Sequence, residues 1–396
     1  MHREERTDRI RRSASRALLL SAGMVGFLIG PACSSKSGDD APPVDSGVDS
    51  GVVDSTVDSG VDLGVIDTTP EAIVDTTPEA PPPCDAGTIS IPSTPAAKLS
   101  DTGLYSDIVA KTINPKLKTF KPTYELWSDA AVKTRWIDLP ECTKIDTTDW
   151  DHWVFPVGTR LFKEFISEGK RIETRMIVRF GPGEADWYFV AYAWNDAETD
   201  ATLAPDIGVQ NARGTDHDIP GVGDCKSCHG YLPEKLLGFS AIQLSHDSPG
   251  FLNFEALATA GAFTTKPTSA KGYKAPGDAV QSAALGYLHA NCGHCHNAFG
   301  IPFPASPFKM RLSVKDDTVD NTDVYKTAVN VKVDRYVMTG VTHRVKGGDS
   351  AASCVFERMN KRDGRQMPPL ATEHIDTTGV ATIKAWIDTL PAPTTP

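Results

Sequence analysis

Two copies of Cys-x-x-Cys-His, Cys225-Lys226-Ser227-Cys228-His229 and Cys292-Gly293-His294-Cys295-His296, constrain this chain more than any other feature. Two thiols three residues apart, with an imidazole next to them, share one face only on a helical turn, so each pentapeptide asks for one. Such a set can bond the two vinyl groups of one porphyrin as thioethers and present the imidazole to iron, which is the attachment chemistry of haem c. Cys225, Cys228, Cys292 and Cys295 are therefore candidate haem-binding residues, and His229 and His296 candidate iron ligands. The competing reading is a structural zinc site, or redox dithiols, made from the same four cysteines. Against it, 63 residues separate the pairs, and both pairs run directly into His although the 396 residues include only ten. Zinc ribbons use much shorter spacings.

Residues 1–33 read as an export signal. Arg3, Arg6, Arg9, Arg11, Arg12 and Arg16 make a basic start, and an apolar stretch over 17–29 follows that is short for a bilayer. It ends in Gly30-Pro31-Ala32-Cys33, similar to a lipobox apart from Pro31, so Cys33 is the candidate lipidation site. An ordinary signal peptide with an incidental Cys is the alternative. Either reading exports the chain, and the anchored form implies the periplasmic or surface side of a membrane, the outer one being expected. No later apolar run in the sequence is long enough to cross a bilayer.

Residues 34–95 read as a disordered acidic linker, with Val-Asp-Ser-Gly repeats and a Thr-Thr-Pro-Glu-Ala motif given twice. Residues 1–33 carry +3 and 34–83 carry −10, which leaves −4 of the total −11 for the rest. The folded part is thus nearly neutral and has no basic stripe of the kind nucleic acid requires. Fifty flexible residues reach about 40 Å, enough for a tethered body to range near its membrane. With Cys33 on lipid and four thiols on haem, Cys84, Cys142 and Cys354 remain. A Cys84–Cys142 disulfide suits an oxidising compartment, although sequence does not fix the pairing, and Cys354 reads as a buried small apolar residue.

Segments rich in aromatic and β-branched residues at 133–139, 153–165, 171–180 and 187–194 read as strands, parted by turns such as Gly181-Pro182-Gly183. They predict a sandwich-like, β-rich domain over 96–205, with Trp127, Trp136, Trp150, Trp153, Trp187 and Trp194 as packing residues. Beyond it the fold class turns mostly α. A first haem-binding segment spans 206–277, a cytochrome c-like region 278–391, and a disordered tail 392–396. Val280, Ala284, Leu285 and Leu288 have helical spacing over 278–289 and lead straight into Cys292; Val380, Ile383, Trp386, Ile387 and Leu390 form a second stripe over 378–390. Between the helices, Met367-Pro368-Pro369 follows His296 by 71 residues, and Met367 is the candidate sulfur ligand on the far side of the second iron.

From Leu99 onward the chain resembles a bacterial family of di-haem c-type cytochromes that join a β-rich N-terminal domain to a cytochrome c-like C-terminal part. The match rests on residues 124–135, on Phe155-Pro156-Val157-Gly158-Thr159, Ile172-Glu173-Thr174-Arg175 and Ala193-Trp194-Asn195, and on residues 224–229 and 290–296. The tail, with Glu357-Arg358-Met359, Met367-Pro368-Pro369 and Trp386-Ile387, is similar to a wider cytochrome c module. The resemblance implies electron transfer with redox partner proteins of the cell envelope, and it brings no substrate.

Together these readings give a lipid-anchored protein with two covalent haem c groups that carries single electrons. Its rival is a peroxidase-type haem enzyme in which the first iron keeps an open position. A third reading makes the β-domain a carbohydrate- or partner-binding module with the cytochrome as accessory. No Met lies between Met176 and Met310, so the far side of the first iron is left to His217, His246, Met176, a residue after 296, or nothing. His152, His289, His343 and His374 read as structural or surface residues.

Overall fold

The computed structural model describes residues 90–300, 302, 307–335, 338–370 and 372–394, all within one compact unit, 84–396. The signal, Cys33, the acidic repeats and Cys84 lie outside the described residues. Cys142 is disulfide-bonded. No helix among the described residues is long and apolar enough to cross a membrane.

A small hairpin of β1 (Tyr105–Asp107) and β2 (Thr112–Ile113) precedes the main sheet. That sheet is a six-stranded antiparallel meander, in spatial and chain order β3 (Lys118–Phe120), β4 (Val132–Asp138), β5 (Arg160–Ser167), β6 (Lys170–Arg179), β7 (Trp187–Trp194) and β8 (Ala201–Leu203). The β5–β6 connection turns through Glu168 and Gly169, both at positive φ, the twist that two-residue hairpins need. The strand expected over 153–165 begins only at Arg160. Upstream, Pro156 has no N–H for a ladder and Gly158 has φ +94, so Trp153 and Phe155 enter the core from a loop.

Strand alternation sends successive residues to opposite faces. Trp136, Phe162, Met176, Tyr192 and Trp194 pack on one face against Leu99, Leu104 and Leu117. Ile137 and Leu161 pack on the other, against Phe120, Trp153, Phe155, Leu236, Phe239 and Phe254. The region is β-rich as expected, but among the described residues the only sheet facing the large one is the small β1–β2 hairpin, which contributes Tyr105 and Ile113 to one face, while coil and short helices cover the rest. Trp136, Trp153 and Trp194 are buried, and Trp150 packs edge-on to Trp153 and Phe263, so these indoles are core.

The helices are α1 (Val222–His229), α2 (Phe254–Thr259), α3 (Ala279–Asn291), α4 (Asp323–Ala328), α5 (Cys354–Met359) and α6 (Thr377–Thr389). Asp278 caps α3 reciprocally with Gln281, both hydrogen bonds being 2.9 Å, and Asp376 accepts from Gly379 N–H at 2.8 Å to start α6. Leu285 and Leu288 of α3 meet Ile383, Trp386 and Ile387 of α6 in one apolar cluster. The two helices approach where Gly379 faces Tyr287; a Cβ there would lie 2.4 Å from the ring. Val280, expected in the buried stripe, is 39% exposed.

The segment after β3 ties the sheet to α3. Gly286 lets the Tyr124 ring lie where a Cβ would be only 2.0 Å from it. The buried Asn291 side chain accepts from Trp127 N–H at 2.7 Å and donates to the Glu125 carbonyl at 3.1 Å. The end of α3, where the second pentapeptide starts, is thereby fixed to the β-rich part.

Candidate functional site

On α1 the i, i+3, i+4 spacing puts Cys225, Cys228 and His229 on one side of the helix. Asp224 Oδ2 accepts from Gly221 N–H at 3.1 Å at its start, and a Cβ on Gly221 would sit 2.6 Å from the Asp206 carbonyl. His229 packs on Phe189 of β7, ring centroids 5.4 Å apart. Its Nδ1 donates to the Lys235 carbonyl at 2.7 Å. With the proton on Nδ1, Nε2 keeps its lone pair, the state in which a histidine binds a metal. Burial, aided by the nearby His294, Lys163 and Arg175, brings the His229 pKa down to about 3, so the ring is neutral.

The second pentapeptide continues the last turn of α3. Cys292 N–H donates to the Leu288 carbonyl at 2.9 Å, and His296 N–H to the Cys292 carbonyl at 2.8 Å. Gly293 is required here: a Cβ would lie 2.6 Å from the His289 carbonyl and 3.0 Å from Arg311 Cα. His296 packs on Phe308 at 5.2 Å, and burial followed by the Arg358 charge lowers its pKa to about 4. The Phe308 backbone opposes that shift, but no hydrogen bond of ordinary geometry reaches the buried Nδ1. Met367 belongs to the same neighbourhood, because its N–H donates at 3.0 Å to the carbonyl of that Arg358. The loop is pinned by the buried Gln366, whose amide donates to Thr372 O at 2.9 Å and Oγ1 at 3.0 Å. Met359, by contrast, is core.

The two pentapeptides meet. Ligand atoms of Cys228, His294 and Cys295 all lie within 4.8 Å of one another. The hydrogen bond to Cys295 and then burial push the Cys228 thiol well up, and the same bond lowers Cys295. Burial raises Cys225 to about 11 and Cys292 to about 12, so these two are protonated thiols at neutral pH. Cys225 and Cys292 stand outside the trio. Cys354 is half-buried and also raised by burial.

The candidates for the far side of the first iron separate clearly. Met176 is buried in the cluster on the opposite face of the sheet from Phe189 and His229. His246 has both nitrogens committed, Nε2 to the Lys121 carbonyl at 2.8 Å and Nδ1 to Ser248 N–H at 3.2 Å. His217 shares the His229 face, with Nε2 2.8 Å from Glu173 Oε1 and a buried Nδ1 that has no partner. The remaining histidines have structural partners: His152 with Glu234 at 2.9 Å, His289 with Leu312 N–H at 3.0 Å, His343 with Thr342 at 2.8 Å and His374 with Asp216 at 3.4 Å.

The sequence analysis gave His294 no role, yet a ring nitrogen lies within 4.8 Å of thiols from both pentapeptides. The only available signal was a second His inside Cys-Gly-His-Cys-His. It also missed Glu234, which is 2% exposed and bound by His152 and by Arg311 Nη2 at 2.5 Å. No family model, curated protein or solved structure matches the chain.

Proposed function

We propose that this protein is a di-haem c-type cytochrome that passes single electrons between partner proteins of the bacterial envelope, tethered through Cys33. The observation that carries the reading is the approach of two complete pentapeptides, with one thiol of each in a cluster 4.8 Å across. Two groups attached there would have neighbouring edges, as serial one-electron transfer requires. Bound haem supplies the redox chemistry, and the protein supplies ligands, orientation and burial.

The residues fit such groups. Four pentapeptide thiols are free, and buried Nδ1 atoms of His217, His294 and His296 have no partner among the described residues. Apolar surfaces flank both motifs, Phe189 beside His229 and Phe308 beside His296, and they exclude water. The Lys235 carbonyl orients His229, and the Gln366–Thr372 hydrogen bonds stand beside Met367, the candidate sulfur ligand to the second iron. The packed α3–α6 pair, which meets at Gly379, supports the reading as a helical frame beside the second motif.

The Cys228–His294–Cys295 trio favours a second reading, a soft divalent ion such as zinc bound by two sulfurs and one imidazole. Intact-mass measurement after expression with a c-type maturation system separates the two. The cytochrome reading expects the mass of two porphyrins, one lost on Cys225→Ser/Cys228→Ser and the other on Cys292→Ser/Cys295→Ser. A zinc ion per chain and no covalent porphyrin would replace it with the second reading.

A further inference from the structure

The strand registers align basic residues across the middle of the sheet. Arg135 on β4 pairs with Lys163 on β5, which pairs with Arg175 on β6, which pairs with Ala191 on β7. All four point to one face, the face from which Phe189, two residues before Ala191, contacts His229. Lys133, two residues before Arg135, adds a fourth cation to that face. The row therefore looks toward α1, and Arg175 lies close enough to Cys225 and Cys228 for its charge to act on their thiols.

The anions on hand do not balance it. Glu173 is bound by Arg175 at 2.5 and 3.0 Å and by His217 at 2.8 Å. Glu125, half-exposed, lies 3.5 Å from Arg135. Lys133 donates to the Leu126 carbonyl at 2.9 Å. Lys163 has no hydrogen bond or ion pair among the described residues; its ammonium rests 4.7 Å from the Phe165 ring centroid. Four basic side chains thus meet three carboxylates, Glu173, Glu125 and, near Lys133, Asp376, which leaves Lys163 without an ion-pair partner among the described residues, in a place where burial makes unpaired charge costly. Burial, and then Arg135, Arg175 and Lys133, push the Lys163 pKa well down, so an incoming anion would meet a site short of exactly that charge.

We propose that the Arg135–Lys163–Arg175 row is an anion-binding site for carboxylate or oxyanion groups, with Lys163 as its central ligand. Two sources offer that chemistry: the two acid side chains of a porphyrin held by the adjoining pentapeptides, which rests on the cytochrome reading, or a free inorganic oxyanion, which does not. Arginine flanks give directional paired hydrogen bonds to such groups, and the lysine between them gives a point charge.

The experiment uses the full chain as purified, with Lys163→Met, which keeps the stem and removes the charge, and Lys163→Arg, which keeps the charge. Inorganic phosphate is the probe in titration calorimetry, alongside a redox titration. Saturable phosphate binding that weakens about tenfold or more in Lys163→Met and survives in Lys163→Arg establishes the free-anion source. No phosphate binding, with one of two haem waves moved to lower potential in Lys163→Met and unmoved in Lys163→Arg, establishes the porphyrin source. The sign follows because losing a cation beside bound carboxylates favours the oxidised, more positive iron. If Lys163→Met melts like the parent and leaves phosphate binding and both waves unchanged, the site is refuted. Lys163→Gln repeats the test should the Met variant fold poorly. A chain without porphyrin would refute the cytochrome reading, and the phosphate arm alone would then decide this one.

Discussion

The two pentapeptides share a pattern but occupy opposite kinds of surroundings. The first sits on a short helix against a sheet face carrying Arg135, Lys163, Arg175, Glu173 and His217, and its imidazole is anchored by the Lys235 carbonyl. The second ends a capped 13-residue helix whose flank is the apolar cluster of Leu285, Leu288, Ile383 and Trp386, and its imidazole has no such anchor. On the proposed reading, identical attachment chemistry in a more charged and in a more apolar setting would give two centres of different potential, because burial, hydrogen bonding and far-side ligand each tune the iron. The Met367 loop stands on the second side only.

The largest break in the comparison comes from Met367→Ala. The second centre should keep its covalent attachment, lose its sulfur ligand, drop in potential and bind added imidazole or carbon monoxide, while the first is unchanged. Visible spectra with each ligand check this; an unaltered second centre would mean that another residue is bound. Gly379→Val comes next. A Cβ 2.4 Å from Tyr287 must part α3 from α6, costing about 1–3 kcal/mol and disturbing the second centre before the first. Asn291→Ala removes bonds to Trp127, Glu125 and Tyr287 from a buried site and should cost about 2 kcal/mol, read in a denaturant melt.

What was legible depended on range. The helices at Ala279–Asn291 and Thr377–Thr389 fall within two residues of the expected 278–289 and 378–390, because periodic apolar positions and the Asp278 and Asp376 caps are local signals. Strands β4, β6 and β7 were legible for the same reason. The covering of the large sheet was not, since irregular segments such as the one holding Leu236 and Phe239 cover a face without any periodicity. Nor was the approach of Cys228 to Cys295, which joins residues far apart in the chain; nothing in either pentapeptide encodes the other's position. The row Arg135–Lys163–Arg175 needed strand register, which spacing along one strand does not give.

A pH slope also concerns the second side, gradual over several units where the substitutions above act at once. His289, buried and accepting from Leu312 N–H, has its pKa brought down to about 3 by burial first and then by Arg311 and His294. A folded-state pKa below the unfolded one means the contribution is present above about pH 6.5 and is lost as pH falls toward 3, with a slope of about 1.4 kcal/mol per unit at most. His289→Gln should flatten that part of the stability profile in urea melts at pH 4–7; an unchanged slope would assign it to other groups.

Two adjacent but unlike haem centres are proposed, and a redox titration of the full chain followed by visible absorption would resolve them. Two resolved one-electron waves are expected, the higher lost from its place on Met367→Ala and the lower left where it was. A single wave, or a colourless chain that carries zinc at Cys228, His294 and Cys295, would contradict the proposal.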